Sequence, residues 1–141
     1  MMANLVARAT RDRRGQALAE FALVLPLVLL FMAGIIEMGR AWNIKQVVTD
    51  AAREGARYTV VKDQTVDSNA VKTKIMERLA LGSIETATIT IEPGAEWRQS
   101  GQAMTVTVAT QFQMGLIGAL LSWAGAPSVV TISTDATMRN E

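Results

Sequence analysis

The chain contains no cysteine and no histidine. Without cysteine there can be no disulfide, thiolate nucleophile, zinc ribbon or iron–sulfur cluster. Without histidine the usual general base near neutral pH and the commonest metal ligand are both missing. Ser-His-Asp and Cys-His catalysis are therefore excluded. There is no Gly-rich phosphate loop and no HExxH. The carboxylates Glu85, Glu92 and Glu96 fall near the first expected hairpin, but nothing in their spacing defines a pocket. They read as a charged hairpin tip. No enzymatic activity, cofactor, metal or small-molecule substrate is expected. The lack of cysteine does not fix the compartment, since it is tolerated on either side of a membrane.

A basic surface is missing as well. The 141 residues allow one domain with an appendage. Residues 1–15 carry Arg8, Arg11, Arg13 and Arg14 against Asp12, a net charge of +3, while residues 16–141 are net −2. The excess positive charge belongs to the N-terminal tail, so no nucleic-acid partner is expected.

What the chain does have is a long apolar run. From Phe21 to Ile36 there are 16 residues without a charge, and back to Gln16 the segment is 21 residues with one carboxylate, Glu20. A helix rises about 1.5 Å per residue, so roughly 20 residues cross a bilayer core. A cleaved secretory signal fits poorly, because the run is long and Glu37, Met38, Gly39 and Arg40 follow it instead of a small-x-small site. A buried core helix also fits poorly, because the run is apolar on all sides and four arginines stand just before it. The segment reads as a single-pass transmembrane anchor over residues 16–37. Arg8, Arg11, Arg13 and Arg14 put the N-terminus in the cytoplasm and residues 38–141 outside.

Two residues in the run break its pattern. Pro26 removes a helical hydrogen bond and crowds the preceding turn, so a kink or a locally melted turn is expected near Ala22–Pro26. Neighbouring groups make this tolerable in a membrane. Glu20 would cost about 2.5–3.5 kcal/mol at the bilayer centre on insertion scales. It lies near the cytoplasmic end, where snorkelling lowers that cost. Either it is an interfacial residue of no consequence, or it pairs with a positive group brought by a partner.

The stretch Arg13-Arg14-Gly15-Gln16-Ala17-Leu18-Ala19-Glu20-Phe21 resembles a prepilin peptidase site: a basic leader, Gly, four residues, Glu-Phe, then an apolar helix. More widely, GQALAEFALVLP and the later Ala51-Ala52-Arg53-Glu54-Gly55-Ala56-Arg57-Tyr58 are similar to the TadE-like family of the tight-adherence (Tad/Flp) pilus system. The resemblance is specific over residues 14–60 and looser beyond, with Ile132–Glu141 similar to the family's last strand. It implies cleavage after Gly15, leaving Gln16 as the new N-terminus and Glu20 as the fifth mature residue. It also implies that Glu20, followed by Phe21, neutralises the N-terminal amine of a neighbouring subunit during assembly. Electrostatics agrees, since an ammonium and a carboxylate at similar membrane depth are natural partners. A Gly before the cut, lacking a Cβ, suits close backbone approach.

Beyond the membrane the helix is expected to continue. Ala41, Ile44, Val48, Ala51, Gly55 and Tyr58 make an apolar stripe, flanked by Asp50, Arg53, Glu54 and Arg57. The stripe packs on the chain's own sheet or on another subunit. Lys62–Val66 reads as a loop. Asp67 or Ser68 caps a second helix ending near Leu81, with Gly82 as its stop and Val71, Ile75, Leu79 and Met76 on its apolar face. The period then changes to two. Ala87, Ile89 and Ile91 mark one strand, and Met104, Val106, Val108 and Phe112 a second. Val130, Ile132 and Ala136 mark a third, each set alternating with mostly polar, Thr-rich positions. Pro93–Gln102 is a turn-rich connection. Gly115–Ala126 carries no charge. It is a short helix or an apolar loop, and it either plugs the end of the sheet or forms an exposed patch for a partner or the outer leaflet.

The expected fold class is α+β. A long N-terminal transmembrane helix continues into a small domain with a second helix and a three- to four-stranded antiparallel sheet, a pilin-like plan. The resemblance divides the chain into a basic leader peptide (1–15), a transmembrane helix (16–37) and an extracytoplasmic domain (38–141). It implies a minor pilin or pseudopilin of the inner membrane, with prepilin peptidase, other pilin-like subunits, Tad assembly platform proteins and the lipid bilayer as partners. The alternatives are an uncleaved membrane-anchored adaptor and a main filament subunit.

Overall fold

The computed structural model describes the backbone of residues 2–61, 67–93 and 101–139, and their side chains apart from those of 2–14 and Val61. The Lys62–Val66 loop, most of the Pro93–Gln102 connection with Glu96, and the side chains of Arg8, Arg11, Arg13 and Arg14 lie outside the described residues. In chain order the elements are α1 (Met2–Val61), α2 (Ser68–Leu81), β1 (Thr88–Glu92), β2 (Ala103–Gln113), α3 (Leu116–Trp123) and β3 (Val129–Arg139). Contacts divide the chain into two units, residues 1–36 and 37–141.

The first unit is helical throughout. α1 is long and apolar enough to cross a membrane. Its apolar side chains stand outward: Leu23 is 80% exposed and Ile35 72%. A soluble core helix would bury a stripe of this surface, whereas a bilayer accepts all of it. Of the kink or melted turn expected near Ala22–Pro26, the melted turn is not present, because the helix is continuous through Pro26. Proline crowds one carbonyl of the preceding turn and removes its own N–H from the ladder. The flanking residues keep theirs, and propagating an existing helix is far easier than restarting one.

The second unit is α+β. Its three strands form one antiparallel sheet in the order β1-β2-β3. Ile89 faces Val108 and Ile91 faces Val106 across one pair of strands, while Val106 faces Ala136 and Phe112 faces Val130 across the other. The two-residue period puts these side chains on one face together with Thr110 and Thr134, and Thr88, Thr90, Thr105, Thr107, Thr131 and Thr137 on the other. Thr105 and Thr137 share a hydrogen bond of 2.9 Å on that polar face.

Val48, Ala51, Ala52 and Ala56 of α1, Val71, Ile75 and Leu79 of α2, and Met104, Val106 and Val108 of β2 build the core. Full burial of an aliphatic side chain contributes about 1.5–3 kcal/mol, so α2 is held chiefly by its three buried residues. The helix stripe therefore packs within its own chain. At Gly55 an added Cβ would lie 2.6 Å from Ile75 Cδ1, so the missing side chain is what lets α2 approach α1. Asp50, Arg53, Glu54 and Arg57 are exposed, as a solvated edge should be.

α2 starts and stops where its local chemistry says it should. The Asp67 side chain accepts the Asn69 N–H at 3.2 Å, and Gly82 closes the C-terminus. On its outer face Lys74 Nζ donates to Glu77 Oε2 at 2.6 Å. That hydrogen bond, with the Glu77 charge, raises the Lys74 ammonium above its ordinary value.

Candidate functional site

Within the first unit, Gly15, Gln16, Glu20 and Phe21 occupy one stretch of α1. An added Cβ at Gly15 would meet nothing within 4 Å. Gln16 Nε2 donates to Glu20 Oε1 at 3.0 Å, the i,i+4 spacing that places both side chains on one face. Glu20 is exposed, and Phe21 is 62% exposed. The geometry thus presents a carboxylate outward one helical turn beyond Gln16, with an aromatic ring beside it.

The second unit holds a cluster that local sequence patterns do not reveal. Glu37, the first residue after the apolar run, is only 6% exposed. A buried carboxylate is costly unless it is hydrogen-bonded. Glu37 Oε1 accepts the Gly115 N–H at 2.7 Å and the Leu116 N–H at 2.9 Å. Those are among the donors at the start of α3 that no helical carbonyl can satisfy, and the carboxylate also meets the positive end of the helix dipole. Glu37 Oε2 accepts from Arg40 Nη1 at 3.3 Å. The Arg40 guanidinium in turn lies 5.5 Å from the centroid of the Phe112 ring, within cation–π range.

Glycine at position 115 permits this approach. A Cβ there would sit 3.0 Å from Glu37 Oε1 and 3.4 Å from Arg40 Nη1. The only signal in the sequence was the abrupt appearance of Glu37 and Arg40 after a charge-free run. The backbone partners of Glu37 are 78 and 79 residues away in the chain.

The segment Gly115–Ala126 is a short helix, α3, with its flanking turns. Met114 N donates to Ser128 O at 3.0 Å, closing the base of the excursion between β2 and β3. α3 buries Gly118 against Met114 and Ser128. It leaves Leu116 67% and Trp123 90% exposed. It is therefore an exposed patch, and not a plug in the sheet.

The carboxylates Glu85 and Glu92 are both exposed, Glu85 before β1 and Glu92 as its last residue. Among the described residues no group of three acidic side chains gathers in a way that could hold a metal ion.

Residues 15–57 match the family model described as TadE-like protein. The match begins at Gly15 and takes in the apolar run, Glu20, Glu37 and the helix stripe as far as Arg57. It falls on the stretch whose residues carry the resemblance. No curated protein and no solved structure matches the chain.

Proposed function

We propose that this chain is a TadE-like minor pilin or pseudopilin, a membrane-anchored subunit for assembly of a Tad/Flp-type pilus. The observation that carries the reading is the family match over residues 15–57, which starts at the residue where the cleavage pattern places the cut. In this reading prepilin peptidase removes residues 1–15, and the mature chain begins at Gln16. Residues 16–37 cross the inner membrane once, with the leader arginines in the cytoplasm and residues 38–141 outside.

Two structural facts support it. Gly15 stands inside a helix, where glycine costs about 0.5–1 kcal/mol relative to alanine, and nothing in the described chain needs its small size. A residue that the fold does not require is accounted for by an outside agent, and a peptidase that must approach the backbone is one. Glu20 is exposed, so its carboxylate is accessible to the amine of a neighbouring subunit. An outward-facing apolar helix that dissolves in lipid can equally bury itself among other subunits' helices, so one surface serves both the membrane reservoir and the assembled state.

The role is structural and not enzymatic. The partners are prepilin peptidase, pilin-like subunits and the Tad assembly platform. A domain with its own core, residues 37–141, favours a priming, capping or regulating subunit over a bare helical filament unit. An uncleaved envelope adaptor would use the same anchor and domain but would have no use for Gly15.

N-terminal sequencing and intact mass of the protein from its native membrane test this reading. A mature chain beginning at Gln16 is expected. A chain retaining Met1–Gly15 in cells with active prepilin peptidase would replace the pilin reading with the adaptor.

A further inference from the structure

The second unit carries an apolar surface that its own fold does not use. Along α3, Leu116, Leu120 and Trp123 recur at i, i+4 and i+7 and stand outward, while the small Gly118 faces inward. This is the reverse of a soluble helix, which buries its large side chains. Val129 and Val130 at the start of β3, which follows α3 in the chain, are also exposed, as is Trp42 on α1. No charged residue occurs between Arg98 and Asp135.

The position of this patch is fixed by covalent and hydrogen-bond geometry. Glu37 directly follows the apolar run, and its carboxylate holds the first two amides of the α3 end. The N-terminus of α3 is thus tied to the residue that directly follows the apolar run in the chain. Trp42 is five residues further along α1, a rise of about 7.5 Å.

The polar groups at the two ends of α3 are hydrogen-bonded within the chain. Ser122 Oγ donates to Ala119 O at 2.9 Å, and Glu37 takes the Gly115 and Leu116 amides. At the other end the amides of Ala124, Gly125 and Ala126 are bonded to Leu120, Ser122 and Leu121 carbonyls. Water does not demand such internal satisfaction, whereas a hydrocarbon boundary does. A protein interface of comparable size would be expected to offer outward polar groups and a polar rim. Tryptophans at the edge of an anchor are typical of the membrane–water boundary.

We infer that α3 is an interfacial membrane helix. Its Leu116–Leu120–Trp123 face rests in the headgroup–acyl boundary of the same bilayer that residues 16–37 cross, on the side of the 37–141 domain, and Glu37 is the clasp that holds it at that level. The inference rests on the membrane-anchored reading. Helices of this kind sit about 5–10 Å into the boundary. The consequence is a domain tethered to the bilayer at two points, so that extraction from the membrane must lift both.

The test uses the full chain with Trp42→Phe and Trp97→Phe, leaving Trp123 as the sole reporter, reconstituted in phosphatidylcholine–phosphatidylglycerol vesicles. Flotation with the vesicles and Trp123 fluorescence are measured on the same sample. The expected result is co-flotation with blue-shifted Trp123 emission. The emission is quenched by lipids brominated near the top of the acyl chain, and both effects persist as protein is diluted in lipid. Leu120→Glu should return the emission to that of a water-exposed indole while flotation is retained. A chain that floats with water-like Trp123 emission would overturn the interfacial helix and leave the anchor standing. A blue shift that fades on dilution would assign the patch to a second copy of the chain and overturn it too. A chain that does not float would refute the anchor, and the interfacial helix with it.

Discussion

Replacing Glu37 by alanine should loosen α3 without unfolding the domain. The substitution removes the acceptor for two backbone amides, at 2.7 and 2.9 Å, and the partner of Arg40 at 3.3 Å. Hydrogen bonds to a charged group contribute about 1.5–3 kcal/mol each, but three effects reduce the sum. Gly115 and Leu116 are exposed, so water replaces part of what the carboxylate provided. The Arg40 side chain is 55% exposed, which puts its ion pair in the range of about 0–1 kcal/mol. Removing a buried carboxylate also relieves its desolvation. The net cost then falls near that of a strong N-cap, about 1–2 kcal/mol. Against a total stability of about 5–15 kcal/mol the domain stays folded. At about 1.4 kcal/mol per factor of ten, local opening of α3 should rise roughly five- to thirty-fold. Glu37→Gln keeps an acceptor oxygen and loses the charge–dipole contribution of about 0.3–1 kcal/mol, so its effect should be smaller. Amide hydrogen exchange on the full chain in lipid nanodiscs reads this directly, with the Ala119 and Ala124 amides as reporters and those of α2 as the internal control. Unchanged exchange at α3 in Glu37→Ala would refute the clasp. An equal rise in α2 would show that Glu37 acts on the whole domain instead.

Other perturbations test the remaining elements. Gly55→Ala should destabilise the domain by up to about 2 kcal/mol, because overpacking at about 1–3 kcal/mol is only partly offset by a helix-propensity gain of about 1 kcal/mol. Ile75→Val should recover part of that loss in a double-mutant cycle of thermal unfolding, and additive losses would argue against the contact. Asp67→Ala should cost about 1 kcal/mol through the lost cap of α2, seen as a lower Tm with the fold retained. Glu20→Ala should leave membrane insertion intact and reduce pilus assembly, and normal filament counts would end the pairing idea. Gly15→Val should leave the chain unprocessed in the membrane, with intact mass as the readout. Processing at the normal rate would remove Gly15 from the recognition argument.

Much of the fold is local enough to be legible in the sequence. The bounds of α2 follow from Asp67 and Gly82, because capping is a contact within two or three residues. The strands follow from a two-residue alternation that the pleat imposes wherever one face is buried. The stretch long and apolar enough to cross a membrane follows from length and hydropathy, which need no tertiary structure to be read. The resemblance on residues 14–60 lies in this same local stretch, which is also where the family match falls.

Other features exist only once the chain has folded. Whether the Ala51–Gly55 stripe met its own domain or another subunit depended on how closely α2 approaches, and Ile75 against Gly55 decides it. Pro26 was read by its local cost, yet the long helix on both sides absorbs it. Glu37 reads in sequence as the end of an apolar run. Only the fold brings the start of α3 to its carboxylate, across 78 residues. The outward face of α3 was equally open, since an apolar octamer has no period that tells inside from outside. Periodicity records which residues share a face. What that face meets is settled by packing, and here Glu37 and the small Gly118 turn Leu116, Leu120 and Trp123 away from the core.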